Sequence, residues 1–255
     1  MFHWNIDPVL LHLGPLQIHW YGLIFALGLV VAYSLGEYMF KKEGKNAALL
    51  EPLFLYVVIG LIVGARLAHV LFYDLDYYLA NPIEIFKVWH GGLASHGGFL
   101  GLMLALWLFS KKYNISIKWL LARATIPAMF VAGCIRVGNF FNSEIVGKAT
   151  DGSWGVIFDR VDAIPRHPVV VYESISYFLI FAILFWLYHK VSFERFSNIA
   201  LGLTFILGFG ARFVLEHFKT AQSEFATALP VTMGQLLSVP FILIGLYLLL
   251  RGLKK

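Results

Sequence analysis

The chain reads as long apolar runs broken by short polar ones. A helix needs about 20 mostly apolar residues to cross the hydrocarbon of a bilayer. By that measure the pattern predicts seven spans, near residues 19–39, 49–71, 93–110, 117–136, 169–188, 197–217 and 231–251. The third is short, and the fourth and sixth carry charges near one end. Two connections are long, residues 72–92 and 137–168, and long loops in a compact chain often carry function. The first holds Phe72, Tyr73, Tyr77, Tyr78 and Trp89, aromatics suited to a membrane–water interface. The second holds Asp151, Trp154, Phe158 and Asp159 and is expected to form a small ordered region outside the membrane. No internal repeat or second soluble domain is visible, so residues 1–255 read as one all-α polytopic membrane domain.

Composition supports this. Of 255 residues, 59% are hydrophobic and 14% charged, whereas a soluble domain carries roughly a quarter charged residues. The single cysteine excludes an internal disulfide. Met1–Gln17 contains Asp7 and Pro8 and lacks a basic start, so the first span is expected to insert uncleaved.

Charge sets the expected orientation. Lys41, Lys42 and Lys45 follow the first span, and Lys111, Lys112 and Lys118 follow the third. Lys190 and Arg195 follow the fifth, and Arg251, Lys254 and Lys255 close the chain. All fall on one side, which the positive-inside rule makes cytoplasmic. The N-terminus is then outside and the C-terminus inside, as an odd number of spans requires. The net charge of +5 is therefore a topology signal, and nucleic acid is not an expected partner.

The remaining cations differ in kind. Arg66, Arg136, Arg166 and Arg212 lie within or just beyond the outer halves of spans, near His69, His96, His167, Glu144, Glu173 and Glu216. Ionisable groups at such depth are costly and usually face a cavity or a partner. Topology alone gives Tyr21, His96, Arg136, Arg212 and Glu216 a similar depth on one face, and this convergence is the main clue to a site.

The densest stretch is Cys134–Gly147, with Arg136, Asn139, Asn142 and Glu144 between glycines. Arginine offers a planar fork of donors suited to phosphate and stays charged when partly desolvated. The bland alternative is that Arg136 and Arg212 snorkel or pair with Glu144 or Glu216. Arg212 and Glu216, four apart, share a helix face with an ion pair within reach. Asn139, Asn142 and Glu144 serve equally as helix-end caps. His96 lies between Gly91-Gly92 and Gly97-Gly98, so backbone or substrate can approach it closely. A neutral imidazole is available as a base near neutral pH, while a structural histidine is the alternative. Nothing resembles HExxH or a Cys/His metal set, and no metal or cofactor is expected. Val131-Ala-Gly-Cys134 has the look of a lipobox, but deep in the chain it reads as small-residue helix packing.

Arg136-Val-Gly-Asn-Phe-Phe-Asn-Ser-Glu-Ile-Val-Gly147 closely resembles the signature of the prolipoprotein diacylglyceryl transferase family of bacterial inner-membrane enzymes. The likeness continues through His19-Trp20-Tyr21-Gly22, Gly64-Ala-Arg66, His90–Gly98, His167-Pro168 with Tyr172-Glu173, Arg212–Glu216 and Gly234-Gln235, in the family's order. Three positions depart from the pattern. Ile135 stands where glycine usually precedes the arginine, Val170 where a glutamine is often found, and Ala122-Arg123 in a region where an aspartate is common.

The resemblance implies a reaction. A diacylglyceryl group passes from phosphatidylglycerol to the thiol of the lipobox cysteine in a preprolipoprotein signal peptide. The products are a thioether and glycerol 1-phosphate. It further implies a membrane-embedded site facing the extracytoplasmic side, with both substrates drawn from the bilayer. On this reading Arg136 and Arg212 hold the phosphate, and His96 helps accept the thiol proton. Asn139, Glu144 and Gly147 bind the headgroup region, Tyr21 positions substrate, and Glu216 orients Arg212. An anion or lipid transporter would also line its path with arginines, though it would often show repeat symmetry. A metal-dependent headgroup transferase would need clustered aspartates, which no span contains.

Overall fold

The computed structural model describes residues 2–14, 16–220 and 232–254, which are mostly helical. Eight α-helices follow in order: α1 Trp20–Lys42, α2 Leu50–Phe72, α3 Leu75–Ala80, α4 Ser95–Tyr113, α5 Ile117–Phe141, α6 Val169–Lys190, α7 Phe193–Leu215 and α8 Met233–Leu253. Among the described residues six of them, α1, α2, α5, α6, α7 and α8, are long and apolar enough to cross a membrane by length and composition. The expected seven exceed these by one. The helix expected as the third span is present as α4, but Ser95, His96 and the Lys111-Lys112 pair lie inside its 19 residues and shorten its apolar stretch. Lys255 and residue 231, the expected start of the last span, lie outside the described residues.

The mostly helical fold also carries short strands among the described residues. Five short strands occur, β1 Phe2–Trp4, β2 Val9–Leu13, β3 Leu16–His19, β4 Val156–Phe158 and β5 Pro165–Arg166. β2 and β3 form an antiparallel hairpin directly before α1. β1 pairs in parallel with β4, and β4 pairs antiparallel with β5. The expected ordered region in 137–168 thus exists, completed by an N-terminal strand. Its core is aromatic: Trp4 lies 4.2 Å from the Phe140 ring and donates from Nε1 to the Phe140 carbonyl at 3.0 Å, over a fully buried Phe158.

The chain divides into two compact units, one of residues 1–36 and 122–255 and one of residues 37–121. In the smaller unit, α2 and α4 meet through glycine. A Cβ on Gly60 would stand 2.6 Å from the Gly101 carbonyl oxygen and the Ala105 Cβ, and one on Gly64 would collide with the Gly97 carbonyl. Small residues four apart let two helix backbones touch, which is how helices gain packing where lipid removes the hydrophobic drive. At one end Phe40, Leu50, Phe109, Ile115 and Leu120 close a buried apolar cluster.

Buried Arg66 of α2 organises the connection to α4. It donates from Nε to the Ile85 carbonyl at 2.9 Å, from Nη1 to Gly91 at 2.5 Å and Gly92 at 3.1 Å, and from Nη2 to Glu84 and Lys87. Its guanidinium also sits 4.9 Å from the Tyr78 ring centroid. Gly91 and Gly92 have φ of 85° and 70°, values that glycine adopts without strain and that turn their carbonyls to the arginine. A charge buried this deeply is tolerated because its donors are satisfied.

In the larger unit α7 and α8 also approach through glycine, since a Cβ on Gly202 would lie 2.8 Å from the Gly245 carbonyl oxygen. Arg123, likewise buried, donates to the Phe193 carbonyl at 3.0 Å and to the Ser197 hydroxyl, tying α5 to the start of α7. Cys134 is a packing residue as expected, buried against Gly28 of α1, whose added Cβ would meet its Sγ at 3.2 Å.

Overpacking a tight contact typically costs about 1–3 kcal/mol. Gly101→Leu is expected to lower the thermal midpoint of the detergent-solubilised protein accordingly. Leu108→Ala, at a half-open surface position, should lower it far less, and equal midpoints for the two would contradict the packing.

Candidate active site

The site grows from the end of α5. After Phe141 the chain keeps helical bonds for one more turn, with the Asn142 amide on the Gly138 carbonyl and the Glu144 amide on the Asn139 carbonyl at 3.0 Å. Ser143 and Ile145 then take φ of 55° and 54°. A β-branched residue in that region is strained by about 1–3 kcal/mol and persists only when its surroundings hold it. The consequence is that Glu144 turns back over the helix end. Its Oε2 accepts from Asn139 Nδ2 at 2.7 Å and its Oε1 from Asn142 Nδ2 at 3.1 Å.

From Asn139 the polar chain continues through four charged residues. Asn139 Oδ1 accepts from Arg136 Nη1 at 3.1 Å. Arg136 Nε lies 2.8 Å from Glu173 Oε2 on α6, a carboxylate only 1% exposed. Glu173 Oε1 lies 2.7 Å from Lys219 Nζ, and Lys219 Nζ lies 3.4 Å from Glu216 Oε2. Arg136 Nη2 makes no hydrogen bond among the described residues.

The loop after α5 clamps this chain. Gly147 forms an isolated bridge to Lys219, and its amide donates to the His167 carbonyl at 3.0 Å. A Cβ there would stand 2.5 Å from that carbonyl oxygen and 2.6 Å from Val169 Cγ2, so the close approach admits only glycine. The Lys148 amide donates to the Phe218 carbonyl at 2.8 Å, which fixes the turn Glu216–Phe218 after α7. Arg166 donates from Nη1 to the Gly147 carbonyl while its Nε and Nη2 hold Asp162. The hydrogen bonds from Arg166 keep the Asp162 carboxyl below the ordinary carboxylate range.

The remaining predicted residues are placed as follows. Tyr21, half-buried on α1, packs on Gly138, where an added Cβ would come 2.6 Å from its Cδ2. Glu216 does not pair with Arg212. α7 ends at Leu215, Glu216 opens a 3-10 turn, and Lys219 three residues on takes its carboxylate. That carboxylate packs on Gly234 of α8, and Gln235 bonds the Phe213 carbonyl and caps its own helix. Arg212 is exposed and has no ion pair or hydrogen bond among the described residues. His96 belongs to the other unit, exposed in the first turn of α4 and without a hydrogen bond among the described residues.

Sequence reading missed Lys219 and the pairing of Glu173 with Arg136. The signal for Lys219 was its spacing, three residues after Glu216 at a helix end. Among the described residues no three His, Cys, Asp or Glu side chains gather as a metal site would need.

Membrane-length helices joined to a buried ionic chain, with cationic donors left open at Arg136 and Arg212, define a polytopic membrane protein with a polar site. The chain belongs to the prolipoprotein diacylglyceryl transferase family, whose sequence model matches residues 8–251. It is 47% identical over 256 residues to the phosphatidylglycerol–prolipoprotein diacylglyceryl transferase of Tolumonas auensis, covering 100% of this chain and 99% of that one. It is 47% identical to the protein of the same name from Chloroherpeton thalassium, covering 99% and 94%, and 38% identical to that from Bacteroides fragilis, covering 99% and 96%.

The stabilisation from Asp162 carries a definite sign. A carboxyl whose folded pKa is depressed contributes stability above its unfolded value and loses it as pH falls through the folded one. Asp162→Asn is therefore expected to speed amide exchange at Lys148, Thr150 and His167 at neutral pH, measured by hydrogen–deuterium exchange. Near the lowered Asp162 value the variant and parent should converge, and a neutral-pH difference of zero would remove the clamp.

Proposed function

We propose that this chain transfers the diacylglyceryl group of phosphatidylglycerol to the lipobox cysteine thiol of preprolipoproteins, the first step of bacterial lipoprotein maturation. The sulfur forms a bond to the glycerol carbon that carries the phosphate, the bond from that carbon to the phosphate oxygen breaks, and glycerol 1-phosphate leaves. The observation that supports it most directly is Arg136. It is held by Asn139 and Glu173 through Nη1 and Nε, and its Nη2 is left without a partner inside the stretch that matches the family signature.

Two demands define the chemistry. A thiol of pKa about 8.5 must lose its proton to attack, and the negative charge that develops on the leaving phosphate needs balancing. Arg136 and Arg212 meet the second demand, since neither guanidinium is saturated by the protein. Glu144 acts through Asn139 to aim Arg136, and Gly147 lets the loop close on Lys219. Tyr21 borders the substrate from α1. Glu216 acts by holding the turn after Arg212, not by pairing with it. His96 accepts the thiol proton, a role suited to an exposed imidazole with no internal partner.

The whole chain works as one membrane domain of seven spans, α4 being the third, with the N-terminus outside and the C-terminus cytoplasmic. That orientation rests on the clustered lysines and arginines of alternate loops. It turns the site toward the extracytoplasmic face of the inner membrane, where phosphatidylglycerol and the signal peptide both reach it from the bilayer.

Purified protein incubated with phosphatidylglycerol and a lipobox peptide, without added metal, should add one diacylglyceryl mass to the peptide cysteine. An unmodified peptide would defeat the proposal. Arg136→Ala should reduce transfer by about 10²-fold or more, the scale of losing one donor to a developing anion, while the variant still folds and inserts. For His96→Asn, activity that recovers as pH rises supports a base, because bulk hydroxide then replaces it; full activity at neutral pH removes the role.

A further inference from the structure

Glu173 is almost fully buried, and how its charge is shared decides how much of Arg136 remains for a substrate. A carboxylate facing one guanidinium usually takes it with both oxygens, in a bidentate pair that satisfies two nitrogens at once. Here Oε2 meets Arg136 at the inner nitrogen Nε, no bidentate hydrogen-bonded pair forms, and Oε1 is held 2.7 Å from Lys219 Nζ. Lys219 is itself 11% exposed, lies between Glu173 and Glu216, and is tied through its backbone to Gly147. Of its carboxylate partners Glu173 is buried and Glu216 half-buried, and Glu173 Oε1, Glu173 Oε2 and Glu216 Oε2 have no hydrogen bond, so their compensation is ionic. Lys219 is thus spent inside the protein and is not available to bind a ligand directly.

We infer that Lys219 is a positioning residue for the anion site: by holding one oxygen of Glu173 it prevents that carboxylate from closing on both arms of Arg136, and so keeps Nη2 open to a phosphodiester. The charges make the same point. Arg136 and Lys219 face Glu173 and Glu216, two against two. Without Lys219, the buried Glu173 carboxylate would bear on Arg136 alone, and the attraction of Arg136 for an anion would be cancelled from behind. The inference rests on the reading of Arg136 as a phosphate-binding group.

Steady-state transfer to a lipobox peptide, with phosphatidylglycerol varied in mixed micelles, separates this from simple gluing of helix ends. Lys219→Met is expected to raise KM for phosphatidylglycerol about tenfold with kcat changed by less than about threefold, and Lys219→Arg to restore the parent KM. The double variant Lys219→Met/Glu173→Gln should recover to within about threefold of the parent KM, because the charge that Lys219 offsets is gone. A glue role predicts a double variant at least as impaired as the single, and that result, or an unchanged KM in Lys219→Met, overturns the inference. Should Lys219→Met fail to fold, the double variant decides alone. Folded protein with a near-parent KM upholds the inference, and a double variant that stays unfolded or keeps a raised KM overturns it. Parent protein that leaves the peptide unmodified would instead defeat the proposed function, and an unchanged KM in Arg136→Ala would defeat the phosphate role of that residue.

Discussion

A carboxylate buried among apolar helices must be matched by cations, because taking an ion out of water costs several kcal/mol unless a partner and hydrogen bonds offset it. Glu173 on α6 sets that demand, and the chain around it follows from how the demand is met. Arg136 comes from α5 and Lys219 from the segment after α7, so one side chain fixes three elements relative to each other. Removing either cation would leave Glu173 with one counter-charge in place of two, so each cation offsets part of the cost of burying it. The position of Arg136 is therefore a consequence of burial at Glu173 as much as of its own contacts.

The buried and half-buried arginines then fall into order by how far the protein satisfies them. Arg66 has its donors filled by five backbone carbonyls, and Arg123 bonds a carbonyl and a hydroxyl while lying near the Phe196 and Tyr188 rings. Both are structural staples, one for the α2–α4 connection and one for the start of α7. Among the described residues Arg136 donates from Nη1, is ion-paired at Nε and makes no hydrogen bond at Nη2, and Arg212 has no partner. Unfilled guanidinium donors are the ones available to an anion, whereas depth or sequence position alone marked all of these arginines equally.

That ordering explains what the sequence could and could not disclose. The long helices were legible because a bilayer imposes length and apolarity on a span, and every long helix lies within several residues of its expected place. α4 was the weakest, since its polar residues sit inside the helix and not beyond it. The strands were illegible: three residues of β1 pair with β4 more than 150 positions away, and runs that short carry no periodicity to read. Arg136, Asn139 and Glu144 were legible as a cluster because they lie within nine residues of one another. The Arg212–Glu216 pair failed although Glu216 still bonds the Arg212 carbonyl through its backbone, because Lys219 takes the Glu216 carboxylate against Gly234. Lys219 was hidden for the complementary reason, as its partner Glu173 is distant in sequence and close only after folding.

The segment from Arg136 to Gly147 is where these constraints meet, and its backbone bears the cost. Ile145 holds a conformation that β-branched residues avoid, and Gly147 sits where no Cβ fits. Relaxing the first would swing Glu144 away from Asn139, which carries one of the two contacts that aim Arg136. Relaxing the second would part the loop from Lys219, the cation that shares Glu173 with Arg136. The two features therefore do the same work from both sides: they grip the two partners of one guanidinium whose third nitrogen makes no hydrogen bond among the described residues. A helix end capped only for stability would have no need of either feature, because asparagine and water satisfy such ends without a left-handed isoleucine or a forbidden Cβ.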